Sequence, residues 1–132
     1  MLFRSLVFVG GSIAKTGGHN ILEPAAVGAC VITGAYTYNF HSIVESFVEA
    51  VAIVQLPPLS DSEATVQLAN TISELLAEPS RRLEMGTRAR SLVNENRGAT
   101  ERTLQALDSL ITTAANAAAS PRPISANSAP TA

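Results

Sequence analysis

The chain has 132 residues, 46% of them hydrophobic, and a net charge of −2 at neutral pH. That suffices for one modest domain with its own core, and the charge balance excludes a nucleic-acid-binding surface spread over the whole molecule. A single cysteine, Cys30, excludes an intrachain disulfide framework, and no apolar run approaches the roughly 20 residues of a membrane helix.

The opening "MLFRSLVFVGG" has one Arg and a short apolar run, with no small-residue cleavage site. It reads as a strand, Leu6 to Val9, rather than a signal peptide, and as a strand whose preceding structure is missing. A loop follows from Gly10 to His19. Asn20 stands at a helix N-cap position with Glu23 three residues on, the spacing of a capping box. Pro24 fits the first turn of the short helix "ILEPAAVG", and Gly28 ends it. "ACVITG" is a second buried strand, with Cys30 as a core residue. "AYTY" is a loop, and Asn39 is placed to cap the helix "FHSIVESFVEA". Its apolar positions Phe40, Ile43, Val44, Phe47 and Val48 recur at helical spacing.

"VAIVQL" is a third strand. Ser60 and Glu63 form a second capping box, opening a helix whose buried face carries Leu68, Ile72, Leu75 and Leu76. Pro79 breaks it. Two further helices are expected around Arg81–Asn94 and Ala99–Ala115, separated by Gly98. From Asn116 the sequence "NAAASPRPISANSAPTA" has no apolar face and reads as a disordered tail. The expected organisation is an α/β domain over 1–115 and a tail over 116–132. Alternating strands and helices imply a Rossmann-like parallel sheet flanked by helices.

In such sheets ligands bind beyond the carboxyl ends of the strands. The Gly10–Asn20 loop lies there and leads into a helix N-terminus, which suits an anion such as phosphate. Glu23 would offer a carboxylate to the vicinal hydroxyls of a ribose. The same residues also make a complete turn and cap with no ligand, and the spacing matches neither a dinucleotide fingerprint nor a Walker loop. The residues alone support a sugar or nucleotide pocket and a plain turn about equally. His19 has the same two readings, a turn residue bonded to backbone or a ligand contact. His41 is expected to face solvent. His19 and Glu23 lack the partners of a metal site, and no base stands near Ser12 to activate it. The stretch Arg81–Arg102 is locally basic, the pattern of a solvated helix face or of a surface that approaches anionic lipid.

The motif "FVGGS…GGHN.LEPAA.G..VITG….NF..IV" resembles the nucleotide-sugar half of the bacterial 3-deoxy-D-manno-octulosonic acid (Kdo) transferases, glycosyltransferases of the GT-B architecture. Gly17-Gly18-His19-Asn20, Leu22-Glu23-Pro24 and Asn39-Phe40 carry it, and it extends over roughly Leu6 to Ile111. The resemblance implies part of a C-terminal GT-B domain that binds CMP-Kdo, in an enzyme that moves Kdo to a lipid A precursor in lipopolysaccharide synthesis. Asn20 and Glu23 would contact the ribose and phosphate side of CMP. Gly17, Gly18 and His19 would shape the loop, and Gly10, Gly11 and Ser12 would line the interdomain cleft. The general base and the acceptor site would lie in an N-terminal domain outside this chain, as would the segment gripping the cytidine base. No catalytic residue, metal, cofactor or nucleic-acid partner is expected here. The parent enzyme would associate peripherally with the cytoplasmic face of the inner membrane; the fragment itself would be soluble and cytoplasmic.

Two departures stand out. Gly34-Ala35 replaces the Gly-Pro usual in that family, and Ala50-Val51 occupies a turn that commonly contains glycine. Two other readings compete: a non-catalytic α/β remnant, and a GT-B transferase or epimerase using another nucleotide sugar.

Overall fold

The computed structural model describes residues 6–119. It has the α/β order expected: β1 (Leu6–Val9), α1 (Leu22–Ala26), β2 (Cys30–Thr33), α2 (His41–Glu49), β3 (Ile53–Gln55), α3 (Asp61–Ala77) and α4 (Pro79–Ala119), with a 3-10 turn over Tyr38–Phe40. The three strands form one parallel sheet in the order β1-β2-β3. Leu6 pairs with Cys30 and Val9 with Thr33, while Val31 pairs with Ile53 and Thr33 with Gln55.

All four residues of β2 are buried, because this strand has a neighbour on each side and packing on both faces. Its side chains alternate between two cores. Val31 joins Val9, Ile21, Ala25, Val44, Phe47, Ile53, Ala89 and Val93 on one face. Cys30 and Ile32 join Leu56, Leu75 and Met85 on the other. Burial of Phe47, which is fully enclosed, contributes about 1.5–3 kcal/mol. The Cys30 thiol lies 3.9 Å from the Met85 sulfur. Burial raises its pKa above the ordinary value, against the opposing pull of Arg81 and Arg82. It is the core residue expected.

The helical periodicities hold in part. Val44, Phe47 and Leu75 are buried, and Phe40, Ile43, Leu68 and Ile72 pack against the cores, but Val48 and Leu76 are exposed. Ser60 and Glu63 form their capping box: the Ser60 amide donates to Glu63 Oε2 at 3.1 Å and the hydroxyl donates to the same oxygen at 2.5 Å. Those bonds hold the Glu63 pKa below its ordinary value. Pro79 begins α4, where its missing N–H has no helical partner to lose.

Two expectations fail. Asn39 does not cap α2: it lies inside the 3-10 turn, and the N-cap position is Phe40. Gly98 does not split the last helix, which runs unbroken to Ala119. A helical glycine costs only about 1 kcal/mol relative to alanine, too little to force a break. The described residues up to Arg97 form one compact unit and those from Gly98 a second. In the second unit Leu104, Leu107, Leu110 and Ile111 are exposed. The sequence 120–132, most of the expected tail, lies outside the described residues. Among those described, no helix is long and apolar enough to cross a membrane.

Candidate functional site

The loops after β1 and β2 meet at the carboxyl end of the sheet, and Ser12 joins them. Its buried hydroxyl donates to Val9 O at 2.7 Å and accepts from the Gly34 amide at 2.7 Å. Its carbonyl accepts from the Tyr36 amide at 2.9 Å. A Cβ on Gly34 would collide with the Ser12 backbone, so residue 34 has to be glycine for the loops to approach this closely. Ser12 is therefore a clamp between two strand ends, with both hydrogen-bonding roles of its hydroxyl committed to backbone.

The rest of the loop folds back on itself. The Gly18 amide and the Thr16 hydroxyl both donate to Gly11 O, at 2.8 and 2.5 Å. Gly17 has φ +95° and is buried against the Asn39 side chain; a Cβ there would stand 2.6 Å from Asn39 Nδ2. The Asn39 amide donates to Gly17 O at 3.3 Å. The asparagine that does not cap α2 thus lies across the glycine loop instead. Gly18 is packed against the Tyr36 carbonyl and Thr37, and the exposed His19 ring lies against Gly11. Gly10 has open space beside it.

The Asn20–Glu23 capping box does not form. Asn20 Oδ1 accepts from the Leu22 amide at 2.9 Å, two residues on, the geometry of an Asx turn. The helix begins only at Leu22, so Glu23 lies too early in it to reach back to Asn20. Glu23 is exposed and makes no hydrogen bond or ion pair among the described residues. The anion site expected at the helix N-terminus is also weakened. α1 has five residues, too few to sum a useful macrodipole, and its Leu22 amide already has a side-chain partner.

Beside the glycine loop lies an open cleft of about 500 Å³, lined by Ala35, Tyr36, Tyr38, His41, Gln55 and the Leu56–Pro58 segment. The Tyr36 and Tyr38 rings are tilted by 54° with centroids 6.0 Å apart. The Lys15 ammonium stands 5.9 Å from the Tyr36 ring centroid. Gln55 Nε2 donates to Gly34 O at 3.3 Å, which fixes the amide at the edge of β3. The hydroxyls of Thr33 and Thr37 are buried without a hydrogen-bond partner. Among the described residues no cluster of His, Cys, Asp or Glu is arranged for a metal ion. The sequence places the glycine loop at this end of the sheet, while "AYTY" reads as connection only. The signal available was its paired tyrosines at the carboxyl end of a buried strand.

No family model matches the chain. The 3-deoxy-D-manno-octulosonic acid transferase of Bordetella pertussis is 39% identical over 103 residues, which is 78% of this chain and 23% of that protein. The transferase of the same name from Haemophilus influenzae is 37% identical over 102 residues, 77% of this chain and 23% of that protein. The chain thus spans about a quarter of the length of the curated relatives it matches. Among solved structures, the C-terminal CMP-Kdo binding domain of WaaA from Acinetobacter baumannii superposes with a TM-score of 0.57 at 30% identity. The match covers 67% of this chain and 44% of that domain. The resemblance to Kdo transferases carried by the Gly17–Pro24 motif therefore holds over most of the chain, in sequence and in fold.

Proposed function

We propose that this chain is the donor-side part of a Kdo transferase, binding CMP-Kdo at the carboxyl end of its parallel sheet. The observation that carries the reading is the exposed, unpartnered Glu23 carboxylate beside a rigid glycine loop, in a chain similar over most of its length to proteins of that activity. Glu23 would accept hydrogen bonds from the ribose hydroxyls. Asn20, bound through Oδ1 to the Leu22 amide, keeps its amide donors for the donor's ribose and phosphate side. Gly17, Gly18 and His19 shape the loop, Gly10 and Gly11 line its approach, and the buried Ser12, expected to line it too, holds the loop from beneath. In the whole enzyme the bond between Kdo and the CMP phosphate breaks, the electron pair leaves with the phosphate, and a hydroxyl of a lipid A precursor takes the sugar. This part binds the donor and the leaving nucleotide. The base that deprotonates the acceptor hydroxyl belongs to the remainder of the enzyme, which would work at the cytoplasmic face of the inner membrane.

Glu23→Gln tests the reading. The side chain is exposed and caps nothing, so the substitution should leave the melting temperature unchanged. A charge-assisted hydrogen bond is worth about 1.5–3 kcal/mol, so CMP affinity should fall about tenfold or more. NMR titration with CMP, beside thermal melts, reads both. Equal CMP affinity in the two proteins would remove Glu23 from the site and leave the loop as a turn in a non-catalytic remnant.

A further inference from the structure

The basic residues of the described chain are very unevenly placed. Arg81, Arg82, Arg88, Arg90, Arg97 and Arg102 all belong to α4, and Lys15 is the only Lys or Arg elsewhere among the described residues. It is also the only lysine in the sequence. Lys15 sits in the middle of the glycine loop, between Ser12, which is clamped to two strand ends, and Thr16, which is tied back to Gly11. Its backbone position is therefore fixed from both sides. Its ammonium lies over the face of Tyr36, a wall of the open cleft, and forms no ion pair among the described residues. A ring face attracts a cation without using its N–H donors, so all three remain free for a ligand. Thr37, next to Tyr36, has a buried hydroxyl with no partner. An unsatisfied buried hydroxyl is costly; Thr37 does not line the cleft, so this one is no part of the ligand surface.

We propose that Lys15 is the anion-holding residue of this site, its ammonium set over Tyr36 at the rim of the tyrosine-lined cleft to bind a phosphate or sugar carboxylate. The inference rests on the donor reading above and deepens it. CMP-Kdo carries both kinds of anion, a phosphodiester and the carboxylate of an octulosonic acid. The weak dipole of the five-residue α1 leaves the charge of either to be met by a side chain, and Lys15 is the cation on the glycine loop. His41 and the Tyr38 phenol line the same cleft and add donors for hydroxyls of the sugar.

The test compares wild type, Lys15→Ala and Lys15→Arg by NMR titration with CMP and with CMP-Kdo. Lys15 is exposed, so melting temperatures should agree. Lys15→Ala should weaken binding about tenfold or more, and Lys15→Arg, which keeps the charge, should restore most of it. Equal weakening toward CMP and CMP-Kdo assigns the phosphate; weakening toward CMP-Kdo alone assigns the carboxylate. A second readout needs no variant. Acetylation with an amine-directed reagent has one side-chain target in the chain, and peptide mass spectrometry should show bound CMP-Kdo slowing it at Lys15. Unchanged affinities in Lys15→Ala, with no protection of the wild-type lysine, overturn the assignment while leaving the donor reading standing. Failure of the wild-type chain to bind either nucleotide overturns the donor reading, and the Lys15 assignment with it.

Discussion

Val51 has φ +52° and is exposed, in the turn that joins α2 to β3. A β-branched side chain in the left-handed region crowds the backbone, at a cost of about 1–2 kcal/mol. The turn persists because the Val51 amide donates to Val48 O at 2.9 Å and its carbonyl accepts from Arg88 Nη1 at 3.1 Å. Neither bond needs the side chain. Val51→Gly should therefore keep both bonds and relieve the strain, with a net gain of about 1 kcal/mol after the added chain entropy of glycine. A rise in the denaturant midpoint at unchanged slope would show it; a fall would mean that Val51 contributes packing not visible from its exposure. The family resemblance marks Ala50-Val51 as a turn that commonly contains glycine, and the dihedral supplies the physical reason. The sequence does not show that Asn39 crosses to Gly17 rather than capping α2. The Asn39 backbone N–H bonds Gly17 O and its side chain packs on Gly17, and foreseeing this requires knowing which loop lies beside it.

At the scale of elements, the strands were legible because each is a short apolar run with punctuation at both ends, and the Ser60–Glu63 box because both partners are local. The Asn20–Glu23 box had the same spacing and did not form, since the chain makes an Asx turn first and the helix starts two residues later. Local spacing names the residues able to cap a helix, not the residue at which it begins. Contacts distant in sequence were not legible at all. Gly86 on α4 lies against the turn after α1, and a Cβ on it would collide with the Gly28 carbonyl. A flexible side chain could move aside, whereas this obstacle is backbone. Gly86→Ala should thus push α4, which carries Ala89 and Val93 into the core, off the sheet. The expected loss is about 1–3 kcal/mol, the usual range for overpacking, despite the better helix propensity of alanine. Chemical denaturation of the single variant measures it. A stabilised variant would show that α4 has room to shift.

For the whole molecule, the fold, the position of the loop and the family likeness could all be read from sequence. The cleft lined by Tyr36 and Tyr38 could not, because it arises only when the segments after β2 and β3 are brought together by the sheet. The relatives are more than three times as long as this chain, and on the donor-side reading the base for an acceptor hydroxyl would belong to the remainder of the enzyme. Incubated with CMP-Kdo and a lipid A precursor, the 132-residue chain should form no transfer product. Turnover above the enzyme-free background would show that both substrates and the base are served from within it.

The Ser12 clamp has one more implication, for the thermodynamics of recognition. A loop that must be ordered by its ligand spends part of the binding energy on lost conformational freedom. Here that ordering is completed during folding, through bonds to Val9 and Gly34 that belong to the strand ends themselves. The loop should therefore open only when the sheet does, in one cooperative unit with it. On the donor reading, ligand release would then depend on side chains at the rim, with the backbone acting as a fixed mould rather than as a gate.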